Sequence, residues 1–526
     1  MRQGVQRVRT DGVQTGWRWG GGLGRWGCVL RTAGLVAAVA LSGCASWGLS
    51  GEGDGAATRP AAGAGATGGG AGGGGASGVV TRGTLPGIVG EPDIRVRLMT
   101  NRPALTVGAV AGTGGATGGV MVYLSPVGSA MLPARMTAPV TVRLTATQWE
   151  VRDRAGLLGR FARTADLEIG AEEAGLSGAP LLAGAGGGGN PGGGGNAVAG
   201  RVRAGGAVPA RLLIEGRPYG GRLRLMAKGS SGAGGVFDVI EIAGLESYLE
   251  GVVAAELFAD WPLGAYQAQA VAARSYALHE RARSRAAGAA FDVEAGVSDQ
   301  AYRGAVDAAR AVAAVRDTRG VVLTWAGEVL RAYFSSTSGG RPASARDTWP
   351  TGRGFEYNLV VPLQAAAREE MGRTAKWYRW TVSRSRGELT ARFAAWGRVN
   401  GHPLKTLTAS TPVESVRVEA SNAVGRPTRY LVAARGGFTT RVTAEELRRA
   451  CNEPAAGFAA VNAETMVRSG DVEFRLVGDV FTIAGRGFGH GVGLCQWSAK
   501  EMADRGKTWQ QIVPVFFPGA QLQRVY

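Results

Sequence analysis

The stretch Gly251–His279, GVVAAELFADWPLGAYQAQAVAARSYALH, constrains this chain most. It sets one carboxylate, Glu256, among Val252, Val253, Ala254, Ala255, Leu257 and Phe258, and then turns into a helix. Asp260 is placed to cap that helix and Pro262 suits its first turn. The Ala-rich run from Ala265 to Leu278 propagates it, with Arg274 and Tyr276 near its far end. An apolar surround disfavours an ionised carboxyl and raises its pKa, toward the range in which a Glu donates a proton at neutral pH. That is the profile of a general acid. A Glu that merely ends one helix or meets an Arg has the same local sequence.

The segments around this stretch read as mixed structure. Leu245–Val253 has the pattern of a short helix that delivers Glu256. Before it, alternating apolar and polar residues recur at 94–99, 120–124, 140–153, 210–228 and 236–242, which is strand periodicity. Residues 320–336 read as a hairpin around Ala326-Gly327, running into Ser335, Ser336, Thr337, Ser338, Gly339 and Gly340. Near the carboxy terminus Gly485, Gly487, Gly489, Gly491 and Gly493 alternate with Arg486, Phe488, His490, Val492 and Leu494. If extended, that segment offers one face of bare backbone against which something can lie. It is not a nucleotide loop, since no G-K-[ST] follows and the G-x-G-x-x-G spacing fails at His490.

Composition separates core from linker. Of 526 residues, 87 are Gly, and the excess lies in tracts such as GGGAGGGGASG and AGAGGGGNPGGGG. The formal charge is +18, yet only five of the 59 basic residues are Lys, the Arg-rich bias of a GC-rich genome. No basic helix, finger or RNP-like pattern accompanies it, so no nucleic-acid partner is expected. The charge suits an anionic polymer or membrane surface.

At the amino terminus, Arg-bearing sequence leads into AGLVAAVALSG and ends at Leu41-Ser42-Gly43-Cys44. The apolar run is short for a membrane span, and its end resembles a bacterial lipobox, which implies acylation of Cys44. Ala45 after the Cys leans toward the outer membrane, facing the periplasm, if the cell has one. The expected organisation is a lipoprotein signal peptide over 1–43, a disordered Gly/Ala-rich tether over 44–88, a β-rich region over 89–243 with a Gly-rich insertion at 183–199, and a mixed helix and strand region over 244–526. The fold class is α+β, with the β-rich part packed on the mixed region.

Beyond Gly251–His279 come three further blocks: SDQAYRG (Ser298–Gly304), YFSSTSGGRPASARDTW (Tyr333–Trp349) and GRGFGHGVGLCQWSAKEMADRGKTWQQIVPVFFPGA (Gly485–Ala520). Their order and spacing resemble the SpoIID/LytB family, the stage II sporulation protein D type of peptidoglycan lytic transglycosylase, whose "AAEM" glutamate precedes a "KAQAVAARTYA" helix. The resemblance implies an enzyme that cleaves the bond between N-acetylmuramic acid and N-acetylglucosamine. Glu256 protonates the leaving oxygen; then, ionised, it takes the proton of the sugar's own 6-hydroxyl, giving a 1,6-anhydro end. One acid suffices for this reaction, whereas a hydrolase needs a second carboxylate or an activated water. The implied substrate surface comprises Arg274, Tyr276, Gln300, Tyr302, Ser335, Ser336, Ser338, Gly339, Gly340, His490 and Gln496.

Local sequence leaves several of these roles open. Arg274 fits a ligand for a substrate carboxylate, an orienter of Glu256, or packing. His490 fits a proton partner, a sugar ligand or a core histidine. LytB-type relatives imply a different class of function, a glycan binder that stimulates an N-acetylmuramoyl-L-alanine amidase, which would be the partner. No cofactor is expected. Some members of the family hold zinc through His and Cys near the Ser/Gly segment, but Tyr333–Gly340 has neither and no metal is expected. Cys451 and Cys495 are the two cysteines left after Cys28 and Cys44, either bridged or free.

Overall fold

The structure is a computed structural model that describes residues 78–526, except 86–87, 112–119, 130–132, 157, 174–209, 230–234, 297 and 370. The signal segment, Cys44, most of the tether and the Gly-rich insertion lie outside the described residues. Part of the range expected as tether is structured. Val80–Arg82 is a strand that pairs in parallel with Gln521–Arg524, and Leu85 belongs to the core. Two β-branched or apolar residues in a row, Val79 and Val80, are where the Gly/Ala composition breaks.

The alternating segments form strands, as their period predicts. Seven strands build one sheet in the spatial order Val293–Glu294, Asp93–Arg102, Val236–Gly244, Arg222–Lys228, Leu167–Glu173, Val120–Pro126, Ala134–Thr137. Six build a second, in the order Arg217–Tyr219, Arg211–Ile214, Ala104–Val110, Val140–Leu144, Gln148–Arg152, Leu158–Ala162. Val140, Val142 and Leu144 are buried while Thr141 and Arg143 are exposed, the pattern of a strand with one face on a core. That core is continuous with the helices that follow, so the β-rich part packs on the mixed region, and the fold is α+β.

Helix α1 (Leu245–Glu256) buries Leu245, Tyr248, Leu249, Val252 and Val253, positions spaced i, i+3, i+4, i+7, i+8 on one face. It carries Glu256 as its last residue, because Leu257 turns to extended backbone at φ −120°. Helix α2 (Leu263–Ala286) starts after Pro262, which holds the N-cap position with no side-chain bond. Asp260 therefore does not cap it; Pro, with φ fixed near −66°, sets the entry instead. Ala270, Ala273 and Ala277 of α2 face the core shared with the sheets. Ala268, Val271, Ala272 and Tyr276 face a second core built from the carboxy-terminal elements. A helix buried on all sides needs small residues for close approach, which explains its alanines.

Beyond α2, the hairpin forms as its sequence predicts. Val321–Trp325 pairs with Glu328–Val329 through Ala326 and Gly327, both at positive φ. The chain then leaves that hairpin, and β1 (Phe334–Ser335) pairs in parallel with β2 (Leu494–Cys495), which leads into helix α3 (Gln496–Asp504). Between them, residues 379–486 form two three-stranded sheets around a core of their own that includes Trp380, Phe393, Tyr430 and Phe481. Arg341 ties this unit down through a two-point pair with Asp471.

The Gly-alternating segment is not extended. Gly487, Gly489, Gly491 and Gly493 all take positive φ, between 72° and 96°, so the chain past Arg486 coils as a loop. Its bare side is filled by this chain's own Tyr333–Gly339. Phe488 N donates to Thr337 O at 2.8 Å, Thr337 N to Phe488 O at 3.2 Å, and Leu494 N to Tyr333 O at 3.0 Å. The expectation of a surface open to a ligand is corrected accordingly.

Candidate functional site

Three elements converge on Glu256. At the end of α1 its Oε1 accepts from the backbone N–H of Ala301, in the loop 298–304, at 3.1 Å. Its Oε2 accepts from Nε2 of Gln496, the first residue of α3, at 3.2 Å. The same Nε2 lies 3.4 Å from Oε1 of Gln269, which α2 buries completely. Glu256 itself keeps partial access to solvent. Burial raises its pKa, and the Ala301 N–H, the Gln496 amide and the nearby Arg303 charge offset part of that rise. The carboxyl is an acid whose ionised form is resisted by burial and supported by two donors.

An aromatic cluster adjoins Glu256 and Gln496 along the chain. Phe258, two residues on, and Trp497, next to Gln496, are both partly exposed, with ring centroids 6.2 Å apart; Trp261, buried behind them, lies 5.6 Å from Phe258 and 5.1 Å from Trp497. Phe258 is legible as part of the apolar setting of Glu256, whereas Trp497, Gln269 and Arg303 stand inside quoted motifs with nothing local to mark them as lying near that carboxylate.

Several expected site residues serve the scaffold instead. Arg274, fully buried, donates Nε and Nη2 to the two oxygens of Glu246 at 2.9 and 2.7 Å, and Nη1 to Val321 O at 3.1 Å. It reaches neither Glu256 nor solvent, and both proposed substrate roles give way to packing, because its fork is fully used. Gln300 is buried between Tyr248 OH (3.1 Å) and Ala273 O (3.2 Å). Tyr302 packs 4.8 Å from the Tyr248 ring, beside Glu241. Both hold the loop that presents Ala301, and both are buried.

The Ser/Gly run likewise turns inward. Ser335 and Ser338 are 8% and 4% exposed, and Ser338 O accepts from Arg426. Gly339 packs on Gly487 with no room for a Cβ, and Gly340 makes the turn at φ 88°. Ser336 is partly exposed, its carbonyl accepting from N of Trp497, the neighbour of Gln496, at 3.1 Å. The cleft wall expected from these hydroxyls is thus a structural seam.

Tyr276 is buried and donates to Asp299 Oδ1 at 3.0 Å while accepting from Arg331 Nη2 at 3.3 Å. His490 lies away from Glu256. Its Nδ1 accepts from Val492 N at 3.1 Å, its ring packs 4.9 Å from Trp349, and the Phe334 backbone lies beside it. Burial lowers its pKa to about 4, so the ring is neutral at physiological pH. The core reading of this histidine fits those contacts better than a proton-transfer one.

Cys451 and Cys495 are free and buried, which settles against a bridge. Among the described residues no group of three or more His, Cys, Asp or Glu is arranged to hold a metal ion, and no helix is long and apolar enough to cross a membrane.

The SpoIID family, described as stage II sporulation protein, matches residues 233–325, which hold Glu256, Gln269 and the loop to Ala301. The chain is 25% identical over 302 residues to stage II sporulation protein D of Bacillus subtilis, covering 54% of this chain and 75% of that one. It is 23% identical over 299 residues to the amidase enhancer of the same organism, covering 52% of this chain and 40% of that protein's length. It is 27% identical over 285 residues to an uncharacterised protein of Brachyspira hyodysenteriae, covering 54% of this chain and 68% of that one.

Proposed function

The chain belongs to the SpoIID/LytB family, and on that premise we propose that it is a peptidoglycan lytic transglycosylase. The observation that carries this reading is the Glu256 carboxyl: borne on a partly exposed residue, raised in pKa by burial, and held at both oxygens by the Ala301 N–H and the Gln496 amide. Protonated, it gives its proton to the oxygen leaving N-acetylmuramic acid. Ionised, it accepts the proton of the 6-hydroxyl as that oxygen closes on C1. The first proton leaves on the released sugar hydroxyl, the second, from the 6-hydroxyl, restores the acid, and no water is consumed. Arg303, partly exposed and close enough to act on the Glu256 charge, is suited to the lactyl carboxylates of the strand.

The test is mass analysis of glycan digested by the purified protein, since anhydro ends weigh one water less than hydrolytic ends. Glu256→Gln preserves shape but has no proton to give. Product formation should fall by roughly 10² to 10⁴, the usual worth of general acid–base catalysis. Anhydro product persisting in the variant would move the acid elsewhere.

The name of the Bacillus subtilis amidase enhancer supports a second reading, a glycan-binding activator of a cell-wall amidase. It makes the opposite claim: Glu256→Gln would still stimulate the amidase, and the wild type alone would release no anhydro sugar. In either case we propose export and lipid anchoring at Cys44, with Cys44→Ser leaving the membrane fraction.

A further inference from the structure

Gln269 is the residue left unexplained by this site. It lies in the middle of α2, fully buried, where its neighbours are Ala268 and Ala270 and an apolar side chain would pack without loss. Its Nε2 has no hydrogen-bond partner, an unmet buried donor that lowers stability. Its Oε1 meets the one group that also touches Glu256, the Nε2 of Gln496.

An ionised carboxylate only accepts, so the Gln496 amide must turn its NH₂ toward Glu256. Left to itself, a glutamine amide can rotate and present its oxygen there instead. The Gln269 oxygen, 3.4 Å from the same nitrogen, also accepts only, so the alternative requires both amides to turn together. We infer that Gln269 is a positioning residue, a lock that fixes the Gln496 amide with its donor aimed at Glu256. This rests on the reading of Glu256 as the acid and base.

The consequence is a definite direction in pH. With the lock in place the ionised form of Glu256 has two donors, Ala301 N–H and Gln496. Without it the Gln496 donor is lost part of the time and the protonated form gains. The other titratable groups around Glu256 are Arg303 from the 298–304 loop and Tyr248 from its own helix. The contacts from α2 and α3 are the neutral amides of Gln269 and Gln496, so neither substitution changes a charge.

Gln269→Met is the test, near in shape and without an acceptor. The Glu256 carboxyl is followed in the full chain by ¹³C NMR of δ-labelled Glu, assigned by its absence in Glu256→Gln, alongside the pH profile of anhydro release. Gln269→Met should fold, with a Tm equal to or above wild type. It should titrate Glu256 at higher pH and move the alkaline limb of kcat/KM up, the protonated-to-ionised ratio changing by up to about tenfold. Gln496→Met should do the same and more strongly, and Gln269→Met added to it should change nothing further. An unchanged titration in a folded Gln269→Met protein overturns the lock. If the titration moves but the wild type releases no anhydro product, the lock stands and the catalytic reading fails.

Discussion

Arg274 and Glu246 join α2 to α1 through a two-point ion pair, at 2.9 and 2.7 Å, with side chains 0% and 8% exposed. Tyr526, the last residue of the chain, donates to the same carboxylate, and Gly320 N adds a fourth bond at 3.3 Å. One Arg thus fastens the helix bearing Glu256 to the central helix and to the carboxy terminus.

Arg274→Ala should therefore act on stability. Removing one partner of a buried pair leaves the other unpaired, at a typical cost of about 3–5 kcal/mol. Burial acts to raise the Glu246 pKa, but the Arg274 charge and hydrogen bonds outweigh it and hold the carboxyl below its ordinary value. A carboxyl lowered in this way stabilises the fold above its unfolded pKa, and that contribution fades as pH falls through the folded one. Denaturation should show a gap between wild type and variant that is full at pH 7 and narrows on acidification. A variant of wild-type stability that no longer binds glycan would restore Arg274 to the substrate surface.

The glycines of the carboxy-terminal loop should differ in their tolerance of a methyl group. A Cβ on Gly493 runs into the Tyr333 carbonyl, which is fixed by its bond to Leu494 N. One on Gly489 meets the Ser335 Cβ at 3.0 Å, a contact a small shift can relieve. Both also bear the strain of positive φ. Thermal melts should rank Gly493→Ala as the more damaging, and the reverse order would show that the loop is not seated on Tyr333–Gly339.

What was legible in the sequence had a local cause. The period of the strands, the i, i+3, i+4 face of α1, the Ala-rich α2 and the Ala326-Gly327 turn all follow from neighbours in the chain. Glu256 stood out because its apolar setting is local too. Gln496, 240 positions away, joins it only through the pairing of β1 with β2, and nothing near Gln496 announces that contact. Arg274 was misjudged for the same reason: a buried Arg and a substrate-binding Arg look alike until Glu246 is seen opposite. The alternating glycines suggested extended backbone, whereas their positive φ values come from close packing on a segment some 150 positions earlier.

Trp497 should contribute to glycan affinity. Trp497 and Phe258, partly exposed and 6.2 Å apart, adjoin Gln496 and Glu256 in the chain, and a sugar presents apolar C–H faces that an aromatic ring covers well. Buried aromatic anchors are commonly worth about 2 kcal/mol or more on truncation. In a Glu256→Gln background, where turnover does not interfere, Trp497→Ala should weaken binding to insoluble peptidoglycan by about tenfold or more, and Trp497→Phe should keep most of it. Equal binding by all three proteins would assign the ring to packing alone.

Glu241 predicts a pH dependence of stability opposite to that of Glu246. It is fully buried in the strand Val236–Gly244, where Oε1 accepts from Gly221 N at 2.9 Å. Burial raises its pKa to about 7, outweighing the Gly221, Tyr302 and Gly220 bonds. Below about pH 4.5 the carboxyl is protonated whether the chain is folded or not, and it adds no pH dependence. Between there and about 7 the folded protein keeps a proton that the unfolded chain releases, so stability falls as pH rises. Above that window the penalty is complete, up to about 3 kcal/mol. Glu241→Gln retains an acceptor for Gly221 and never ionises. Denaturant melts should show it more stable than wild type at pH 8, with the gap closing by pH 4. A gap independent of pH would mean that folding leaves the Glu241 pKa unchanged.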